Sequence, residues 1–213
     1  MRFTLLFIFI LSCVIISSCG DSVTPTEDLV AKGGKQYGGE FAFMSPEKVK
    51  TLFPAHTADL YTSRLISQIY EPLMVFDASE MKVVSGVAEN FKMSTDAKVY
   101  TFNIRKGIMF HDDDCFGGDG EELTAEDVKF TLDVACSGMK SNEISYLLKD
   151  RIEGADAFFK KSKKNIPSGG VSGIKVKGDK VEITLSNPSP GFAKVLTNPG
   201  LGIISKKAFD HYG

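Results

Sequence analysis

The sequence predicts an α/β domain, and three stretches predict it. From Val99 to Ala135 an alternating strand, a tight turn, an acidic loop and a capped helix follow one another. Ile174–Val176 and Val181–Leu185 alternate on either side of Gly178-Asp179, the pattern of a hairpin. Leu60, Leu65, Ile66 and Ile69 recur at helical spacing between about Thr57 and Tyr70.

The first stretch carries most of the information. Tyr100, Phe102 and Ile104 alternate with Thr101, Asn103 and Arg105, so one strand face is apolar and the other wet. Lys106-Gly107 breaks the strand, because glycine accepts the positive φ of a tight turn. Ile108 to Phe110 resume extended chain as far as His111. Thr124 and Asp127 then form a capping-box pair, opening a helix whose face holds Val128, Leu132 and Ala135. Gly138 is its expected stop.

The chain begins with a leader pattern. Arg2 precedes a nearly unbroken apolar run from Phe3 to Ile16, and Ser17-Ser18 supply small residues before Cys19. The run is short for a membrane-spanning helix. Ile16-Ser17-Ser18-Cys19 resembles the bacterial lipoprotein box, in which the cysteine takes a diacylglycerol and becomes the mature N-terminus. An ordinary signal peptide with a stray cysteine is the weaker alternative, as is Cys13 behind Ile10-Leu11-Ser12. The expected organisation is a lipoprotein signal peptide over 1–18, a flexible tether over 19–39 and a folded part over 40–213. The tether is poor in large apolar groups and rich in Gly, Thr and acids.

Composition agrees with a folded domain behind that tether: 43% hydrophobic, 24% charged and no Trp. Its formal net charge of −2, made more negative by losing Arg2 with the leader, gives no footprint for nucleic acid. Beyond the tether lie about 170 residues, enough for one core. Cys115 and Cys136 are the cysteines left for the fold; in an oxidising compartment they either pair as a disulfide or stay as two small buried side chains.

The remaining elements are plainer. Glu40 to Met44 reads as a short strand, and Leu73 to Phe76 as a buried one. Pro72 ends the preceding helix by restricting Glu71 and lacking a donor. Ser94 to Lys98 turn the chain. Asn142 to Lys149 and Ala155 to Lys161 read as helices, Leu201 to Ile204 as a last strand, and Ser205 to Tyr212 as a last helix. The lysine run from Lys160 to Lys164 is expected to be a solvated helix end.

No catalytic constellation emerges. His111, Asp112, Asp113, Asp114 and Cys115 are all ligating types, but neighbours in sequence converge poorly on one ion, and the acids lack EF-hand spacing. Gly169-Gly170-Val171-Ser172-Gly173 misses the register of a nucleophile elbow. The chain carries no HExxH, CxxC or phosphate-binding loop, so no enzyme activity, cofactor or resident metal is expected.

The ordered combination YTFNIRKGIMFHD and LTAEDVKFTL resembles the extracytoplasmic solute-binding proteins of peptide-type ABC importers, the oligopeptide/dipeptide-binding family. Tyr70-Glu71-Pro72-Leu73 is similar to the family's Tyr-Glu-Gly-Leu, and Val87-Ala88-Glu89 to its Leu-Ala-Glu. The resemblance spans 38–213 and departs from the pattern at Asp113–Glu122, where the family usually has a short turn. It implies the N-terminal lobe, with its inserted subdomain, of a two-lobed periplasmic-binding-protein fold, the second lobe missing. It also implies that Thr51 to Ala55 pass a ligand cleft, with Phe53, Pro54, Ala55, His56, Tyr70 and Glu71 nearest to it. The implied function is a lipid-anchored binding component outside the cytoplasmic membrane. It would take peptides or a related small solute (nickel, haem or sugars less often) to permease subunits. A truncated surface module without ligand is the alternative.

Overall fold

The computed structural model describes residues 29, 30, 36, 37, 40, 42 and 44–212; the expected leader, Cys13, Cys19 and most of the tether lie outside them. The chain divides into two units, 1–44 and 45–213. In the first, β1 (Leu29–Val30) pairs antiparallel with β2 (Gln36–Tyr37), a two-residue ribbon inside the segment read as tether.

The second unit opens with a 3₁₀ turn over Pro54–His56 and helix α1 (Leu60–Ile69). Asp59 caps α1 by accepting the Thr62 N–H at 2.8 Å. A hairpin of β3 (Met74–Asp77) and β4 (Lys82–Ser85) follows. The main sheet is antiparallel, in the order β5 (Ala88–Met93), β6 (Val99–Ile104), β8 (Lys180–Thr184), β7 (Ile174–Lys177). Between β6 and β7 run α2 (Ala125–Ala135) and α3 (Ala155–Lys161); α4 (Phe192–Val195) and α5 (Lys206–Tyr212) close the order.

The predicted alternation of β6 decides the core. Tyr100, Phe102 and Ile104 are buried, and in register Phe102 faces Phe91 on one side and Val181 on the other. The Phe91 and Phe102 rings lie 5.5 Å apart, and the Tyr100 ring lies 5.4 Å from Phe192. The Tyr100 hydroxyl keeps a partner while buried by donating to the Ser189 carbonyl at 2.5 Å. Each such side chain contributes about 1.5–3 kcal/mol by leaving water.

Helix α2 packs against β7, β8 and α5, and its capping box forms as predicted. Val128, Leu132 and Ala135 are buried, but so are Phe130, Thr131 and Asp133, so more than one face is covered. Its polar residues compensate by taking backbone donors from neighbouring segments. Thr131 Oγ1 accepts the Ile204 N–H at 3.0 Å, and Asp127 Oδ1 accepts that of Lys206 at 3.0 Å. Asp133 accepts the Val171 N–H at 2.8 Å and pairs with Lys129 at 2.6 Å; Lys129 also donates to the Gly169 carbonyl. Burial pushes the Asp133 carboxyl up, against the pull of Lys129 and the Val171 N–H. Gly170 passes so close, at φ +66°, that any Cβ there would strike the Asp133 carboxylate.

Several expectations are corrected. Glu40, Ala42 and Met44 carry no strand; the residues between them lie outside the described set. Helix α1 starts at Leu60 rather than Thr57, and of its apolar stripe Ile66 is buried while Leu60 and Ile69 are exposed. Asn142–Lys149 forms only a 3₁₀ turn at Ser145–Leu147, because the Asn142 amide donates to the carbonyls of Val134, Ala135 and Ser137 at the end of α2. Leu201–Ile204 is no strand: a 3₁₀ turn covers Pro199–Leu201, and the Ile203 and Ile204 N–H groups bond the Glu71 carbonyl and Thr131. The lysines after Phe159 are exposed around the end of α3, as expected of a solvated helix end.

Asp133→Ala strands the Lys129 ammonium and the Val171 N–H together. Urea unfolding is expected to show a loss of about 2–4 kcal/mol. Asp133→Asn keeps an acceptor for Val171 and should lose clearly less; equal losses would contradict this role for the carboxylate.

Candidate functional site

Two large concavities and a smaller groove of about 300 Å³ flank α5 among the described residues. The larger, about 740 Å³, lies between α2, the loop through Asn165–Gly170 and α5. Two of its lysines are already paired, Lys129 with Asp133 and Lys206 with Asp210. The other is a cleft of about 540 Å³ walled by Phe53, by Ile69–Glu71, by Ile108–Asp113 with Phe116, and, from the stretch between Ile203 and Tyr212, by Ile203, Ile204, Ser205, Ala208, Phe209 and Tyr212. Aromatic faces dominate it, and its carboxylates Glu71, Asp112 and Asp113 have no ion-pair partner among the described residues.

Each wall has a local cause. Pro72 stops α1 from continuing, Tyr70 leaves it in extended conformation, and Glu71 is fixed when its carbonyl accepts the Ile203 N–H at 3.0 Å. Gly202 lets the 201–204 segment pass against Tyr70; a Cβ there would approach the Tyr70 Cβ to 2.5 Å. Burial raises the Tyr70 phenol above its ordinary pKa. Phe53 stands in a row of rings, 5.9 Å from Phe209, which lies 5.1 Å from Phe130 on α2.

The structure thus brings together Phe53, Tyr70 and Glu71 from the sequence-derived candidates. Pro54, Ala55 and His56 do not line the cleft. Pro54 and Ala55 are buried in the 3₁₀ turn, where the Ala55 carbonyl accepts the Glu143 N–H at 3.0 Å. His56 is half-buried with its ring 4.6 Å from that of Phe53; burial lowers its pKa, partly offset by Glu143. Sequence reasoning missed Ile108–Asp113 and Ile203–Tyr212 as walls. Both ends of the missing signal were present, Phe-His-Asp and the final Tyr-Gly, but nothing local pairs them.

The acidic loop is tied down rather than loose. Asp112 Oδ1 accepts the Gly120 N–H at 2.8 Å. Asp113 caps a 3₁₀ turn over Asp114–Phe116, accepting from Cys115, and its Oδ1 also accepts the Tyr212 hydroxyl at 2.7 Å. These donors, the Cys115 N–H first, hold the Asp113 carboxyl below the usual range, and Asp113 raises Tyr212 to about 12. Lys207 of α5 reaches Glu121 at 3.0 Å, and the Phe116 and Phe110 rings stack at 6.0 Å. Among the described residues no three His, Cys, Asp or Glu side chains converge to hold a metal.

This anchorage corrects the disulfide alternative. Cys115 and Cys136 are free, buried thiols. The 3₁₀ turn carrying Cys115 packs on α5, while Cys136 caps the far end of α2, so the loop does not double back along that helix. Burial, then Asp113, push the Cys115 thiol up to about 11; burial raises Cys136 as well. Tyr212→Phe removes one tie and should speed iodoacetamide alkylation of Cys115, located by peptide mapping, roughly threefold or more. An unchanged rate would mean the loop holds without α5.

The family model "Bacterial extracellular solute-binding proteins, family 5 Middle" matches residues 82–212. The periplasmic oligopeptide-binding protein OppA of Escherichia coli K12 is 31% identical over 167 residues, 78% of this chain and 28% of OppA. A glutathione-binding protein, GsiB, of Salmonella choleraesuis is 29% identical over 76% of this chain and 27% of its own length. The crystal structure of Haemophilus influenzae OppA in complex with RPPGFSPFR superposes with a TM-score of 0.64 at 26% identity, covering 76% of this chain and 30% of that one. The chain therefore spans under a third of these relatives' length. Its mixed helix and sheet fold is that of the N-terminal portion of a two-lobed periplasmic binding protein. The chain belongs to the bacterial extracellular solute-binding proteins of family 5.

Proposed function

We propose that this chain supplies one wall of the ligand cleft in the substrate-binding component of an ABC importer, which captures peptides or a related small solute outside the cytoplasmic membrane and delivers them to permease subunits. One observation carries the reading. Phe53, Tyr70 and Glu71, chosen from the sequence for the cleft, converge with Ile108–Asp113 and Ile203–Tyr212 around one aromatic cavity. Relatives described as oligopeptide- and glutathione-binding support a peptide-like ligand. The mechanism needs no bond making. Aromatic walls take up apolar side chains, exposed carboxylates and backbone groups orient the rest, and contacts to a facing surface favour a closed state. That is the work of a binding protein rather than an enzyme.

Since this portion covers one side of a ligand, the 213-residue chain alone should bind short peptides only weakly, with a Kd of about millimolar. Titration of labelled protein with a tripeptide pool, followed by NMR, should shift Tyr70, Phe110 and Phe209 first. Micromolar affinity would contradict the one-sided reading, and shifts confined elsewhere would contradict the cleft.

Residues 1–18 act in this reading as a lipoprotein signal peptide, residues 19–39 as the tether, and Cys19 as the lipid-bearing N-terminus of the folded part. Mass spectrometry of protein expressed in a bacterial host should find a diacylated cysteine N-terminus, abolished by Cys19→Ala. An unmodified N-terminus in the wild type would overturn the anchor.

A further inference from the structure

We infer that three carboxylates, Glu71, Asp112 and Asp113, make the cleft selective for cationic ligands: its occupant carries a positive side chain, lysine- or arginine-like, beside an apolar one. The inference rests on the cleft being the ligand site and names the class of ligand it takes. The lining is asymmetric in charge. Its charged side chains are Glu71, Asp112 and Asp113, with His111 beside them, and neither Lys nor Arg lines it. The chain as a whole is not so one-sided, with 25 basic and 27 acidic residues.

The nearest lysines are turned to other work. Lys206 pairs with Asp210 and lies 5.5 Å from the Phe130 ring centroid. Lys207 pairs with Glu121 and lies 5.6 Å from the Phe116 ring centroid. Both line the adjoining groove rather than the cleft. The carboxylates keep free capacity: each known bond to Asp112 or Asp113 uses Oδ1, and Glu71 is exposed.

A cation entering this space meets two attractions at once. Carboxylates act on it at short range from two sides, Glu71 from the end of α1 and Asp112 and Asp113 from the stretch after β6. The faces of Phe53, Tyr70 and Phe110 add a cation–π attraction to the charge attraction. An anionic side chain meets repulsion from the same carboxylates and no compensating donor cation. Carboxylates from the end of α1 and from the stretch after β6 thereby set a charge preference without touching backbone recognition, which is independent of side chains.

The test compares three capped dipeptides on the full chain by NMR titration: acetyl-Phe-Arg-amide, acetyl-Phe-Gln-amide and acetyl-Phe-Glu-amide. The arginine peptide should bind about fivefold or more tighter than the glutamate peptide, with shifts at Tyr70, Phe110 and Asp112. In a Glu71→Gln, Asp112→Asn double variant, whose new amide oxygen at the second site can still accept the Gly120 N–H, the gap should close to about twofold. Equal affinity for the arginine and glutamate peptides in the wild type overturns the selectivity while leaving the cleft intact. Binding of all three away from the cleft, or of none, overturns the cleft reading and this inference with it.

Discussion

Thr131 and Asp127 accept the backbone N–H groups of Ile204 and Lys206, and through these two bonds α2 fixes the segment that walls the cleft. The segment has no strand partner, so without them its buried Ile204 N–H would be left without an acceptor, a cost of about 1–3 kcal/mol. Asp133 does the same further along the helix for the Val171 N–H, with Lys129 neutralising the carboxylate. The burial of α2 explains why such side chains are tolerated: covered on more than one side, a polar residue must find a fixed partner. Sheet, cleft wall and the loop before β7 are therefore referenced to one helix.

What the sequence made legible follows from this. Strand β6, the β7–β8 hairpin, α2, α3 and α5 were readable because each carries its own periodicity, turn glycine or cap. Gly178 adopts φ +65° at the hairpin turn, and the Thr124–Asp127 box closes as written. The missed pieces depend on partners far away. Asn142–Lys149 has helical composition, but the Asn142 amide is drawn to the end of α2, and Leu201–Ile204 has strand composition, but its Ile203 and Ile204 N–H groups are taken by Glu71 and Thr131 instead of a strand. Strand β4 went unread because Val83 and Val84 are adjacent and half-buried, so no alternation betrays them.

The site was legible to a similar degree and for a similar reason. Phe53, Tyr70 and Glu71 came from resemblance to family motifs, and the Pro72 break gives two of them their place. Pro54 and Ala55 share that motif but turn inward, since a 3₁₀ turn points successive residues in different directions and these two fall on the core side. The opposite walls come from segments some ninety-nine residues apart, joined by the Tyr212–Asp113 bond. No local pattern encodes such a junction.

The proposed ligand site and its charge preference both depend on which concavity holds the ligand. The direct measurement is paramagnetic broadening by a pentapeptide bearing a nitroxide at its C-terminus, titrated into isotope-labelled protein. A ligand seated in the aromatic cleft predicts that Tyr70, Phe110, Phe209 and Tyr212 broaden first. Broadening centred instead on Met139, Ile166 and Gly170, in the groove beside α2, would contradict it.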